Sequence, residues 1–561
     1  MSKTRNRKTP LTSPPEAAAA DSSAATTDLR QRLRPVLSLL LFGLLSAGAA
    51  LFIHTRSVRI PAMDALYHLR HASLYLSHSL FMQEFPWAAF SVIGRYAADI
   101  WYGFHLLLIP FTFLDGPILQ AKAAGVFLLV CSMLLFHFTA RRSRLAYPYL
   151  WPFVLLGSFT WRLSQTRPNI VSIGLLAALF ACLVNGGVWG VFLTGFAISW
   201  IHLSFFWMAM VVGGVVFLVK ARTEKTWEWR KLAALCAGLL AGWLLRPNPV
   251  GAAKILYVQL VRLMQVRSEG TPLPWGNELY PMNPERFFSE YGLLAMLWLS
   301  GAVVSVLILL RRGKLPPQPR TLLWSSLALS LPFFVITLAV SERILDLWAP
   351  FAVLSIAVGF SLFIQSAGSK EPARAKKAAP RPSSTRARQL APIGICVLLF
   401  ALISILSLRT YQAKLGICGH PDRLKYVGAW LRENAAPKTI VFHTNWGDFS
   451  ELFYWNPDNY YVGGMDPIFQ YEYDHSLYWK AYHLLQREAV QQTWGAQTPG
   501  QAPPEDTYTV ITRDYRAKYF FVSIVEAPEL YEYTKSDPSY LVGFDNSWQA
   551  IYRLTDAAGN P

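Results

Sequence analysis

The stretch Ile60 to Leu80, IPAMDALYHLRHASLYLSHSL, follows directly on the first strongly apolar segment of the chain. Asp64, Tyr67, His68 and His71 recur at i, i+3, i+4 and i+7, so an α-helix puts all four on one face. One carboxylate and two imidazoles held together at a bilayer surface make a candidate site. The same spacing also suits the wet side of an interfacial helix. What the neighbouring segments are decides between these readings.

The chain has 561 residues, 53% of them hydrophobic, and a mean hydropathy of +0.28. That is too apolar for an ordinary soluble protein and points to several membrane spans. The net charge is +18. Its basic clusters sit beside apolar segments, at Lys3 to Lys8, Arg30 to Arg34, Arg141 to Arg144, Lys220 to Lys231, Arg311 to Arg320 and Lys370 to Arg388. This is the positive-inside pattern, and no compact basic module is left to bind nucleic acid. Four of the five cysteines, Cys131, Cys182, Cys236 and Cys396, fall inside apolar spans, which excludes a disulfide framework or a zinc motif.

Apolar spans are expected at 35–54, 118–139, 147–160, 170–186, 188–203, 204–220, 232–246, 292–310, 321–340, 346–366 and 390–408. The aromatic piece WYGFHLLLIPF (101–111) reads as re-entrant or interfacial, and AKILYVQLVRLMQV (253–266) as an amphipathic helix within the polar stretch 247–290. The number of spans is odd. With the basic N-terminus inside, every basic cluster is inside, while Asp64, 161–169, 247–290 and the C-terminal region are outside. The fold expected is a polytopic α-helical membrane protein of about eleven transmembrane helices with a C-terminal extracytoplasmic α/β domain. Residues 1–34 are a basic, disordered cytoplasmic lead, 35–408 the membrane domain, 367–389 a disordered cytoplasmic loop rich in Pro, Ala, Lys and Arg, and 409–561 the outer domain. In that last domain TIVFHT, KYFFVSIV, YLVGF and WQAIYRL read as strands, the last two as a hairpin around DNS, and DRLKYVGAWLRENA as an amphipathic helix.

Arg162, Arg167, Arg246 and Arg343 lie at outer span ends, against the positive-inside trend. The guanidinium fork suits a phosphate, so these four are candidate ligands of a lipid phosphate. Glu278 in PWGNELYP, His202 in SWIHLSFFW and Asp466 in GGMDP are further polar candidates on the outer side, each equally readable as a loop, packing or cap residue.

In layout the chain resembles the GT-C superfamily of integral-membrane glycosyltransferases, and most closely the catalytic subunit of oligosaccharyltransferases. DALYHLR (64–70) is similar to the Asp-x-Tyr-Tyr-His-x-Arg stretch of archaeal members. SERILDLWAPFAVLSIAVGFSLF (341–363) looks like the segment whose arginine meets the donor pyrophosphate, and WLRENAAPKTIVFHTNWGDFSEL (430–452) like the one carrying the acceptor-reading Trp-Trp-Asp motif. Two departures stand out. NWGDF matches that motif only at Trp446 and Asp448, and the loop SFTWRLSQTRPN lacks the carboxylate of the usual acidic metal pair.

The resemblance implies a sugar or glycan moved from a polyprenyl-phosphate-linked donor to an acceptor glycan, lipid or protein at the outer face of a cytoplasmic membrane. Asp64 is then the catalytic carboxylate, Arg343 with Arg167, Arg162 and Arg246 the phosphate ligands, and Trp446, Asp448 and Glu278 the acceptor contacts. Asp64, His68 and His71 are the candidate ligands of a divalent metal, Mg2+ or Mn2+. The competing readings are a transporter or flippase of a lipid-linked or anionic solute, and a GT-C-like assembly protein without catalysis.

Overall fold

A computed structural model describes residues 16–312, 316–368, 384–486 and 490–555. Among them, seven helices are long and apolar enough to cross a membrane: Pro35–His54, Pro117–Arg142, Leu203–Thr223, Pro284–Leu310, Pro317–Ala339, Glu342–Gln365 and Leu398–Gly416. The other four expected spans also fall on helices, but Leu150–Ser158, Asn169–Asn185, Val188–Ile201 and Trp229–Leu244 have only 9, 17, 14 and 16 residues. A lipid-facing span needs about 20. In Asn169–Asn185 neighbours cover the short helix: nearly every side chain is buried. The Val188–Ile201 and Trp229–Leu244 helices meet at glycine, where a Cβ on Gly238 would stand 2.2 Å from the Phe192 carbonyl oxygen. Only a residue without a side chain permits that approach.

The first helix extends back to Glu16, into the stretch expected to be unstructured. Residues 1–15 and most of the 367–389 loop lie outside the described residues. The 101–111 piece is a helix, Tyr102–Leu108, closed by a 3-10 turn, Ile109–Phe113, and not a full span. The amphipathic stretch is helical from Pro249 to Ser268 through a π-turn at Val258–Arg262.

The loops sort to two ends. Asn185 reaches the Arg142 carbonyl and Gln318, Thr223 meets Thr321, and Ser361 accepts from Ala146, which ties the basic loops together at one end. Asp64, Arg162, Arg167, Glu278 and Arg343 gather at the other. The described basic loops and the Asp64 group thus lie at different ends of the helices.

The C-terminal domain carries strands β1 (Ile440–His443), β2 (Tyr460–Tyr461), β3 (Gln492–Trp494), β4 (Pro504–Asp506), β5 (Tyr519–Ser523), β6 (Tyr540–Asp545) and β7 (Gln549–Leu554). Five form a sheet in the order β2-β1-β5-β7-β6, with β1 parallel to β2 and β5 and the β6–β7 hairpin antiparallel. The four expected strands are β1, β5, β6 and β7. The two-residue β2 is too short to leave a pattern in the sequence.

That sheet edge positions the Asp64 helix. Ala89 and Phe90 donate to the carbonyls of Tyr461 and Val462, and Tyr461 donates back to Trp87, so the first outer segment pairs with the edge at β2. Arg70 adds a bond from Nε to the Tyr454 carbonyl at 2.9 Å, and Trp87 one to the Pro457 carbonyl at 2.6 Å. One continuous apolar core, including Leu66, Tyr67, Phe85, Phe449 and Phe453, runs from the membrane helices into the outer domain.

Candidate active site

The helix Asp64–Ser77 starts at Asp64, whose carboxylate in the first turn complements the helix dipole. It opens into a cavity of about 540 Å3 between the membrane helices, the 249–268 helix and the outer domain. Its polar lining includes Asp64, His68, Arg167, Glu278, Arg343 and Asp466. Its apolar lining includes Phe205, Trp207, Met208, Leu260, Met264 and Val340.

Glu278 is the hub of the charged group. Its Oε1 lies 2.7 Å from Arg343 Nη2, and its Oε2 lies 3.0 Å from Arg162 Nη1 and 3.3 Å from Arg167 Nη1. Arg167 Nη2 also pairs with Asp64 Oδ2 at 2.6 Å, so one guanidinium bridges the two carboxylates. Backbone docking places Glu278 there: Ser341 Oγ donates to its carbonyl, and Glu342 N donates to that of Tyr280. Burial alone would raise the Glu278 carboxyl, but Arg343, Arg167 and Arg162 outweigh it and hold it well below the usual carboxylate range.

Arg343 has 37% of its side chain exposed and faces the cavity. Its neighbours in sequence do not neutralise it: Glu342 is held by both outer nitrogens of Arg286, and Asp346 by Asn169 and Arg162. Arg167 lines the cavity too, and its Nε is buried with no partner among the described residues. Arg162 stands behind Glu278 and off the cavity surface.

Arg246 does not belong to this site. Its guanidinium is buried and donates to the carbonyls of Trp243, Asp99, Ser199 and Gly242, so its hydrogens go to closing backbone ends. Trp446 and Asp448 do not line the cavity either. Asp448 is 2% exposed and pairs with Arg423 Nη2 at 2.6 Å, and its side chain does not cap the helix Phe449–Trp455. Burial pushes Asp448 up against the pull of Arg423 and lifts its neighbour Glu451 to about 7. Two further polar candidates from the sequence do reach the cavity. His202 is hydrogen-bonded to Ser172 at 3.0 Å, and Asp466, raised to about 6 by burial, caps the turn at Ile468.

The expected metal set does not assemble. Asp64 is paired with Arg167, while His71 turns away towards Asp99, with Nε2 3.8 Å from Oδ2. Every cavity carboxylate already has a donor: Asp64 and Glu278 have arginines, Asp346 has Asn169, and Asp466 has a backbone amide. Three guanidinium groups within this set repel a dication, so the residues around Asp64 do not fit Mg2+ or Mn2+. The histidine-containing group that does converge, His71, Asp99 and His105, includes two residues outside the expected set. Asp99 and His105 lie 28 and 34 residues beyond His71, a spacing no local pattern reveals.

No family model and no curated protein matches the chain by sequence. By structure it has the fold of the GT-C membrane glycosyltransferases. It is similar to the oligosaccharyltransferase of Archaeoglobus fulgidus solved with a tethered acceptor peptide containing the NVT sequon. The TM-score is 0.56 at 13% identity, over 93% of this chain and 74% of the other. The oligosaccharyltransferase AglB from Archaeoglobus fulgidus, in complex with an inhibitory peptide and a dolichol-phosphate, also scores 0.56, at 12% identity over 92% of this chain and 74% of the other. ArnT from Cupriavidus metallidurans bound to undecaprenyl phosphate scores 0.52 at 13% identity, over 94% of this chain and 99% of the other.

Proposed function

We propose that the protein is a membrane glycosyltransferase that moves a sugar from a polyprenyl-phosphate-linked donor to an acceptor at the extracytoplasmic face of the cytoplasmic membrane. The observation that carries this reading is a single cavity lined both by a linked group of Asp64, Arg167, Glu278 and Arg343 and by extensive apolar surface. Such a lining suits a molecule with an anionic head and a hydrocarbon tail. The similar proteins solved with dolichol-phosphate and undecaprenyl phosphate support the same ligand class.

In this mechanism Asp64 accepts the proton of the acceptor nucleophile as it attacks the anomeric carbon from the face opposite the phosphate. The bond from that carbon to the phosphate oxygen breaks, and the sugar inverts. Negative charge grows on the departing lipid phosphate, where Arg343 and Arg167, which both line the cavity, stabilise it. Arg167 holds the base and the leaving group in one register because it contacts Asp64 as well. Glu278 keeps the arginines apart and aimed while the cavity is empty of phosphate. No step needs a metal at Asp64.

The test uses purified full-length protein, a radiolabelled polyprenyl-phosphate hexose and an envelope fraction from cells lacking the protein. Transfer of label out of the prenyl phosphate by the parent, and none by Asp64→Asn, is the expected result. Equal transfer by both removes Asp64 from the chemistry, and none by either removes the glycosyltransferase reading for this donor.

A further inference from the structure

The first outer segment holds a second polar group that glycosyl transfer does not use. His71 comes from the Asp64–Ser77 helix, Asp99 from the loop before Trp101, and His105 from the Tyr102–Leu108 helix. One ligand atom from each lies within 4.8 Å of the others, and all three side chains are buried, at 4%, 5% and 0% exposure. His105 Nδ1 is 2.5 Å and His71 Nε2 3.8 Å from Asp99 Oδ2.

The outward atoms of these residues have partners of their own. His71 Nδ1 is 3.1 Å from Tyr67 Oη, His105 Nε2 is 2.8 Å from His68 Nδ1, and Asp99 Oδ1 accepts from the Trp101 amide at 2.8 Å. Each ring therefore has one nitrogen engaged outward and the other near the same carboxylate oxygen, with the two rings stacked at a centroid distance of 4.2 Å. That is how outer hydrogen bonds orient metal-ligating histidines. Asp99 Oδ2 accepts from His105 Nδ1 and, at 2.8 Å, from Tyr75 Oη, while His71 Nε2 stands 3.8 Å off, beyond hydrogen-bond reach.

We propose that His71, Asp99 and His105 bind one divalent ion of the zinc class. Two imidazoles and a single carboxylate favour a borderline-soft transition metal over Mg2+ or Ca2+, which prefer all-oxygen shells. Tetrahedral zinc with nitrogen and oxygen ligands spaces its donor atoms about 3.4 Å apart. The His71–Asp99 separation is already close to that. The His105–Asp99 contact opens by about 1 Å as the ion replaces the shared proton, which leaves to solvent, and a water takes the fourth position. Bound there, the ion ties the helix that begins at Asp64 to the helix Tyr102–Leu108. It sits one imidazole from the cavity, since His68 contacts His105 and lines the pocket. The site is separate from Asp64 and stands independently of the glycosyl-transfer reading.

Untagged full-length protein in detergent, equilibrated with zinc and freed of excess, decides the matter by elemental mass spectrometry. About one zinc per chain is expected in the parent and in Asp64→Asn, with at least a tenfold loss of affinity in Asp99→Asn. Cobalt in place of zinc should give visible d–d absorption in the parent and lose it in His71→Gln/His105→Gln. Asp99→Asn keeps the hydrogen-bonding shape, so it serves if the double variant fails to fold. Less than about a tenth of an ion per parent chain overturns the proposal, leaving a hydrogen-bonded triad. So does an affinity unchanged in Asp99→Asn, and zinc lost from Asp64→Asn but kept by Asp99→Asn would assign the ion to the cavity.

Discussion

At Asp64 a single proton-accepting group is asked to serve the reaction, and Asn is the sharpest probe of it. Asp64→Asn keeps the shape and removes the basicity, so turnover should fall by about 10²-fold or more while donor binding persists. Steady-state transfer and direct binding of undecaprenyl phosphate separate the two. Arg343 and Glu278 make a complementary pair of tests. Arg343→Lys keeps the charge but loses the planar fork, and the donor KM should rise by about tenfold, the size of one charge-assisted contact. Glu278→Gln removes the charge that three guanidinium groups share. Polyprenyl phosphate should then bind more tightly, by a similar factor of about ten, while kcat falls because Arg167 and Arg343 are no longer held apart. A Glu278→Gln protein with weaker donor binding would return this residue to the acceptor role expected from sequence.

The elements show where packing overrides local rules. Gly238→Leu places a branched side chain where the structure leaves 2.2 Å to a carbonyl oxygen. The loss of stability should be about 1–3 kcal/mol, read as a lower Tm in detergent. In the outer domain, Glu451 gives a pH signature. Burial lifts its carboxyl from 4.5 to about 7, with Arg423 pulling down and Asp448 and Glu526 pushing up. The folded chain therefore keeps a proton that the unfolded chain releases above pH 4.5, so this group's contribution to stability falls as pH rises to 7 and is level beyond. Buried His443, lowered to about 4, works in the opposite sense over part of the same window. The measurement is thus the Tm of Glu451→Gln minus that of the parent. It should grow between pH 5 and pH 8, by the equivalent of up to about 3 kcal/mol, because Gln stands in for the protonated acid. A difference flat with pH would mean that Glu451 is ionised throughout.

For the whole molecule the decisive quantity is which end of the helices faces out. The basic loops gather at one end and the Asp64 cavity at the other, so two exposed positions test the assignment. On a background without native cysteines, Ser536→Cys should react with a membrane-impermeant maleimide in intact cells. Thr226→Cys should react only after the membrane is opened. The reverse pattern would put the cavity in the cytoplasm and away from any extracytoplasmic acceptor.

The alternation of apolar segments and basic loops was legible in the sequence because both are properties of contiguous stretches. Hydropathy and charge located the helices, the C-terminal α/β domain with strands β1, β5, β6 and β7, and Asp64 at the start of the helix that follows the first apolar span. Span length was not legible where neighbours cover a short helix, as at Asn169–Asn185. The site itself was a matter of convergence. Arg162, Arg167, Arg246 and Arg343 are alike in sequence, yet folding aims Arg167 and Arg343 into the cavity, sets Arg162 behind Glu278, and spends Arg246 on backbone carbonyls. Asp64, His68 and His71 share a helix face, but i to i+7 spans two turns, so the last of them meets Asp99 and His105 instead of the carboxylate that begins the helix. Composition sets what a segment prefers to be buried in. Only the tertiary contacts decide which buried charges answer one another.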